Sequence, residues 1–141
     1  MKVNSDMVKT DEGRKAKVLF VTRYIFVGVT TPALYFLLFW FIDKTTELAS
    51  WLASSLAYTL AVLYQFHMHS LYTFKVSPGL KYFVKFVVTI ALGVLLSYIL
   101  MELLPLWVEN QAIVSAIVIV LVTPIFNFFL FSKWVFSRSY N

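Results

Sequence analysis

The sequence contains no cysteine, and only 7 of its 141 residues are acidic. Without cysteine there can be no disulfide, no thiolate metal site and no cysteine nucleophile. Charged residues make up 13% of the chain, whereas a soluble domain usually carries about 25%. Hydrophobic residues make up 60%, more than a chain this short could bury in a core of its own. These features favour an integral membrane protein.

The chemistry of catalysis is also missing from the sequence. A general acid/base pair, a phosphate-cradling glycine loop and a nucleophile with its base are all absent. His67 and His69 are two residues apart, so on a helix they point about 200° apart and a shared metal ion is not expected. No Asp, Glu or Cys lies beside them in the sequence. We therefore expect a protein that is not an enzyme, with no catalytic residue, no metal and no cofactor.

Four continuous apolar segments occupy most of the chain, at about residues 18–42, 48–72, 82–104 and 112–134. Each is long enough for a helix across a hydrocarbon core of about 30 Å. The runs do not alternate in polarity, which argues against barrel strands. The sequence therefore predicts an all-α integral membrane fold in which residues 18–138 form four transmembrane helices. Residues 1–17 are predicted to be a polar, mobile cytoplasmic tail.

Basic residues are concentrated on one side of the predicted bundle. Lys44 is the only Lys or Arg on the other side, where Asp43, Glu47, Glu102 and Glu109 also lie. By the positive-inside rule both termini are therefore predicted to be cytoplasmic, an N-in/C-in topology.

The two halves of the sequence resemble each other at an offset of 62 residues. The matched pairs are Phe66 with Phe128, Phe74 with Phe136, Gln65 with Asn127, Tyr72 with Trp134, and Arg23 with Lys85. Several matches at one offset indicate an internal duplication of a two-helix hairpin. Because each repeat has two helices, both enter the membrane in the same direction, and the sequence predicts two parallel-repeat helical hairpins.

A polar stripe runs along the second predicted helix. Its members are Ser54, Tyr58, Gln65, His69 and Tyr72, which at about 100° per residue share one face. Unpaired polar groups in hydrocarbon cost several kcal/mol, so the stripe should face other helices or a wet cavity. Two interpretations stay open, namely hydrogen bonding between helices and a ligand-lining face. His67 falls on the opposite face and is predicted to be a packing or interfacial residue.

Cations lie at the predicted cytoplasmic ends of the helices. Arg23 is several residues inside the first apolar run, where a charge is costly, and Lys85 is its repeat partner. Lys133 lies near the end of the fourth helix. These cations either mark topology by reaching towards anionic lipid, or bind a lipid phosphate, for which Arg offers two donors.

Small residues on the third helix predict a close helix contact. Thr89, Gly93 and Ser97 are four residues apart and share a face. Such a series lets two backbones approach, either within the bundle or between subunits.

The segment "RYIFVG" and the two hairpin ends, each an F-x7-F box with an aromatic residue two before the last Phe, carry a resemblance to a known family. The clearest box is "NFFLFSKWVF", residues 127–136. The chain resembles the GtrA-like family of small four-helix membrane proteins, over roughly residues 18–138.

This resemblance implies translocation of a polyprenyl-phosphate-linked sugar, carried on a lipid such as undecaprenyl phosphate, across the cytoplasmic (inner) membrane. The sugar would serve synthesis or modification of cell-surface polysaccharide. Arg23 and Lys85 would hold the phosphate, while polar and aromatic residues would line the sugar's path. The expected substrate-binding residues are Arg23, Lys85, Tyr58, Gln65, His69, Asn127, Lys133 and Trp134.

The expected partners follow from the same resemblance. They are the lipid-linked sugar, membrane lipid, a membrane glycosyltransferase and further copies of this chain in a dimer or larger homo-oligomer. No nucleic-acid partner is expected.

Two other functions are open to a chain of this size. It could be a non-transporting scaffold that anchors a polyprenyl-phosphate glycosyltransferase. A small multidrug exporter is disfavoured, because proton-coupled exporters need an acid deep in the membrane. Every acid here lies in the tail, in an outer loop or near a helix end.

Overall fold

In a computed structural model of the chain, the backbone is described for residues 3–103 and 111–137, and side chains from residue 12 except 111–116, 118 and 119. These ranges are helical almost throughout and contain no strand. The α-helices are α1 (Val3–Thr45), α2 (Ser50–Met68), α3 (Leu80–Leu103) and α4 (Gln111–Leu130). Two π-helical turns follow α2 and α4, the first π-turn (His69–Thr73) and the second π-turn (Phe131–Val135). Glu109 and residue 138 lie outside the described residues.

Helix α1 is longer than the sequence predicts. It begins at Val3 and ends at Thr45, so the helix extends beyond both ends of the apolar segment at about residues 18–42. Residues 3–17 contain several good helix formers and no proline, so a helix formed by the apolar run can extend through them. The assignment of residues 1–17 as a cytoplasmic tail remains a prediction.

The outward faces of two helices are apolar. Glu12–Thr45 and Leu80–Leu103 are long and apolar enough to cross a membrane, and Val120–Val135 is a shorter apolar helix among the described residues. In the most apolar windows of the two long helices only 6% and 17% of residues are buried. Core helices of soluble proteins are mostly buried, so these exposed apolar faces fit a lipid environment.

The chain divides into two compact units, Met1–Lys75 and Val76–Asn141. The first unit is the α1–α2 hairpin with the first π-turn. Small residues line α2, where Ala53, Ala57 and Ala61 are buried at intervals of four. Small side chains let the two backbones approach closely. The hydroxyl oxygens of Tyr35 and Ser54 then lie 2.9 Å apart across the hairpin.

The second unit is the α3–α4 hairpin with the second π-turn. Thr89 and Gly93 are buried on α3, and Ser97 is half-buried. The hydroxyl oxygen of Ser97 lies 2.9 Å from that of Thr123 on α4. The small series predicted on helix 3 is therefore confirmed as a close helix contact within the hairpin.

Aromatic rings pack at equivalent places in the two hairpins. The ring pairs are Tyr24 with His69 (centroids 5.0 Å apart), Phe86 with Phe131 (5.1 Å), Phe20 with Phe74 (5.3 Å), and Tyr82 with Phe136 (5.8 Å). Each pair in the second hairpin lies at an offset of 62 residues from its counterpart in the first. Such contacts add about 0.5–1.5 kcal/mol each beyond the burial of apolar area. The recurrence of one packing pattern is what an internal duplication predicts.

Replacement of Phe131 by alanine is expected to destabilise the protein strongly. Phe131 is 1% exposed and stacks on Phe86, so Phe131→Ala should lower the free energy of unfolding by about 3–5 kcal/mol. Phe129 is 57% exposed, and Phe129→Ala should change it by only about 0.5 kcal/mol. Unfolding of the purified protein in mixed detergent–SDS micelles measures both. Equal losses for the two variants would contradict the ring stacking.

Candidate functional site

Each hairpin ends in a turn whose hydrogen bonds reach five residues back. The Phe74 N–H donates to the His69 carbonyl at 2.8 Å, and the Phe136 N–H to the Phe131 carbonyl at 2.9 Å. In both turns the rings at these positions pack with centroids 6.2 Å apart. The wider turn therefore places bulky rings five positions apart in contact. Single π-turns within helices occur frequently at functional sites.

Arg23 lies beside the first π-turn. The guanidinium carbon is 5.2 Å from the centroid of the Tyr72 ring, within the range of a cation–π contact. The Arg23 side chain is half-buried, and its Nε is buried without a hydrogen-bond partner. Among the described residues no carboxylate forms an ion pair with it. A half-buried cation with an unpaired buried donor is costly by itself and attracts an anion.

Lys85 occupies the equivalent place beside the second π-turn. Its Nζ lies 5.5 Å from the centroid of the Trp134 ring and donates a hydrogen bond to the Trp134 carbonyl at 2.9 Å. Trp134 is 39% exposed, and the neighbouring Lys133 is exposed as well. The structure thus groups three of the predicted binding residues at the end of the second hairpin.

The predicted polar stripe does not share one environment. Ser54 is half-buried and paired with the Tyr35 hydroxyl. Tyr58 is 52% exposed, with its ring edge-on to that of Tyr35 at 6.5 Å. Gln65 is half-buried further along α2. The part of the stripe formed by Ser54 and Tyr58 therefore combines one hydrogen bond between helices with an exposed tyrosine.

His69 lies inside the first hairpin and is 1% exposed. Its ring stacks on Tyr24 at an interplanar angle of 23°, and its Nδ1 is 3.3 Å from the Thr73 hydroxyl oxygen. A ring enclosed in this way supports the turn and has no open face for a sugar. His67 is exposed, and its Nδ1 lies 2.8 Å from the Leu63 carbonyl oxygen. The prediction that the two histidines occupy opposite faces is confirmed.

Asn127 lies at the contact between α3 and α4. Its side chain is half-buried, and its Oδ1 is buried without a hydrogen-bond partner. A Cβ atom at Gly93 would stand 2.8 Å from that oxygen, so the absence of a side chain at Gly93 makes room for the amide. An unsatisfied acceptor at this depth is costly and marks a polar position inside the second hairpin.

The sequence arguments missed two serines. Ser70 is fully buried in the first π-turn, and Ser132 lies at the equivalent position of the second. The hydroxyl oxygen of each is buried and has no hydrogen-bond partner. The signal that could have identified them is simple, because both F-x7-F boxes carry a serine at the same place.

The arrangement suits binding more than bond making. Each unit holds a cation, a partly exposed aromatic ring and a buried hydroxyl at one end of its hairpin. Within the described residues, no group of three or more His, Cys, Asp or Glu side chains could hold a metal ion. The cation and the aromatic ring can therefore recognise an anionic group attached to an apolar or sugar-like body.

A family model described as "GtrA/DPMS, transmembrane domain" matches residues 23–136. The match begins at Arg23, ends at Phe136, and so includes both π-turns. No curated protein and no solved structure matches the chain.

Substitution of Gly93 tests the placement of Asn127. Gly93→Ala should push the amide away and lower the free energy of unfolding by about 1–3 kcal/mol. Gly28→Ala is the matched control, because nothing lies within 4 Å of a Cβ built there, and it should be neutral or stabilise by about 0.5–1 kcal/mol. Adding Asn127→Ala to Gly93→Ala should recover part of the loss. Additive losses in the double variant would show that the two residues do not meet.

Proposed function

Since the chain belongs to the GtrA/DPMS transmembrane domain family, we propose that it moves a polyprenyl-phosphate-linked sugar across the cytoplasmic membrane. It is an all-helical membrane protein, and its family connects it with lipid-linked sugars. In the proposed arrangement four helices span the membrane, both termini are cytoplasmic, and the sugar serves synthesis or modification of a cell-surface polysaccharide. The protein acts without catalysing a covalent reaction.

The observation that carries this proposal is the cation–aromatic pair that recurs in the two hairpins. Arg23 lies over Tyr72, and Lys85 lies over Trp134. A lipid phosphate needs cationic donors at headgroup depth, and the positive-inside rule assigns both pairs to the cytoplasmic side. There they would meet a lipid-linked sugar made in the cytoplasm.

The remaining candidate residues differ in how well they could contact a sugar headgroup. Tyr58 and Trp134 are exposed enough to stack on a sugar, and Lys133 is exposed beside Trp134. Gln65 and Asn127 offer amides within their hairpins. His69 is enclosed, so in this proposal it shapes the first π-turn from the inside and does not touch the sugar.

The partners of this function are proposals of the same kind. A membrane glycosyltransferase that makes the lipid-linked sugar would work beside the chain. A homo-oligomer would enclose a headgroup better than one small bundle does.

A second candidate is a scaffold that anchors such a glycosyltransferase without moving lipid. Its support is the interrupted polar stripe of the first hairpin, where the enclosed His69 lies between Gln65 and Tyr72. A scaffold needs apolar outward faces but no continuous polar path.

Loss of Arg23 should slow translocation. In proteoliposomes that contain polyprenyl-phosphate-linked glucose as the probe, Arg23→Gln should lower the rate of headgroup movement about tenfold or more, because a charge-assisted contact is lost. Arg14→Gln is the matched control, since Arg14 is an exposed cation on the polar part of α1, and it should leave the rate unchanged.

The same preparation separates the two candidates. Translocation by the wild-type protein that is unaffected by Arg23→Gln would remove Arg23 from the mechanism. Wild-type protein that moves no headgroup, yet co-purifies with a polyprenyl-phosphate glycosyltransferase, would favour the scaffold.

A further inference from the structure

We infer that the two hairpins have diverged in role. Arg23 with Tyr72 binds the phosphate group of a lipid, whereas Lys85 stabilises the end of its own hairpin. This inference deepens the proposed function and rests on it for the choice of a lipid phosphate. The two cation sites share one geometry but differ in hydrogen bonding.

The shared geometry makes the comparison direct. Arg23 and Lys85 are repeat partners at an offset of 62 residues, and each lies over the aromatic ring two positions before the last Phe of its box. The cation-to-centroid distances are 5.2 and 5.5 Å. Differences in hydrogen bonding therefore reflect the residues and their surroundings, not their place in the hairpin.

Lys85 already has a use within its own hairpin. Its ammonium donates to the Trp134 carbonyl at 2.9 Å. Trp134 lies in the last turn of its helix, where carbonyls lack a donor from a following turn. A cation at a helix C-terminus also interacts favourably with the helix dipole. Lys85 thus joins α3 to the end of the second π-turn.

Arg23 makes no such bond. Among the described residues it forms no hydrogen bond, and its Nε is buried without a partner. On the first hairpin it contacts the Tyr72 ring. A guanidinium presents its donors in one plane and binds phosphate in two-pronged fashion. Whereas Lys85 uses its donor within its own hairpin, Arg23 leaves its hydrogen-bonding capacity unused there.

The surroundings of the two cations differ in the same direction. Three positions that are polar in the first hairpin are apolar in the second, namely Tyr24 against Phe86, His69 against Phe131, and Thr73 against Val135. Tyr82 in place of Phe20 is a change the other way, and its ring stacks on Phe136. The buried side chains around the first π-turn are therefore the more polar, although Lys133 takes the place of Leu71 in the second π-turn.

Binding to the purified, detergent-solubilised full chain tests the inference, with farnesyl phosphate as the probe. Arg23→Met should weaken its binding about tenfold or more and leave the thermal unfolding midpoint unchanged or raised. Lys85→Met should lower the midpoint clearly, with a smaller loss of binding by the folded protein. Arg23→Lys keeps the charge without the two-pronged geometry and should fall between wild type and Arg23→Met. Arg14→Met is the control and should change neither quantity.

The source of the phosphate is tested in parallel. Farnesol and inorganic phosphate are measured beside farnesyl phosphate, and a lipid phosphate site should bind both of them much more weakly. Inorganic phosphate that binds as tightly as farnesyl phosphate would overturn the assignment to a lipid.

Other outcomes would overturn the division of roles. These are equal losses of binding in Arg23→Met and Lys85→Met, a larger loss in Lys85→Met, or no farnesyl phosphate binding by the wild type. If Lys85→Met cannot be purified, Lys85→Arg retains a donor for the Trp134 carbonyl and should keep both the midpoint and most of the binding. A loss in Lys85→Arg as large as that in Arg23→Met would contradict the inference.

Failure of the inference can be told from failure of the proposed function. Arg23-dependent binding in a protein that moves no headgroup would remove translocation alone. Translocation that depends equally on both cations would retain the function and remove the divergence.

Discussion

The backbone hydrogen bond that spans five residues at the end of each hairpin governs the position of the candidate residues around it. It brings His69 against Phe74, and Phe131 against Phe136, in nearly identical geometry. The rings of the neighbouring helix then stack on these pairs, and one cation lies over the ring that remains partly exposed. An ordinary α-turn, which bonds four residues back, would rotate that ring away from its position.

Some of the buried polar groups in these apolar hairpins destabilise the protein. Arg23, Ser70, Asn127 and Ser132 each carry a buried atom without a hydrogen-bond partner. An unpaired buried group destabilises a protein by about 1–3 kcal/mol, and the penalty is felt most where neither water nor a second helix can compensate. Their concentration at and near the π-turns indicates that these ends are shaped for more than stability. The helix contacts further along use small residues and paired hydroxyls.

Much of the candidate site can be predicted from the sequence, because the internal repeat makes positions in the two hairpins comparable. The offset of 62 residues by itself pairs Arg23 with Lys85 and Tyr72 with Trp134. The stripe on α2 was harder, because an angle of 100° per residue holds in an α-helix and fails in a π-turn. The helical angle therefore predicts that His69 shares a face with Gln65 and Tyr58, whereas it is enclosed by Tyr24 and Thr73. No hydrophobic period in the sequence identifies a π-turn, because the register of its hydrogen bonds depends on packing between helices.

The two ring stacks have nearly the same geometry although their residues differ. Tyr24 with His69 and Phe86 with Phe131 differ by a hydroxyl and by a five-membered imidazole in place of a six-membered phenyl ring, yet their centroid separations differ by only 0.1 Å, 5.0 against 5.1 Å. Shape and chemistry are therefore separable at this position. The end of each hairpin thus keeps one ring arrangement, although the rings of the first hairpin carry heteroatoms that those of the second lack. A chain with two such hairpin ends can change the ring chemistry of one while the ring packing of the other stays the same.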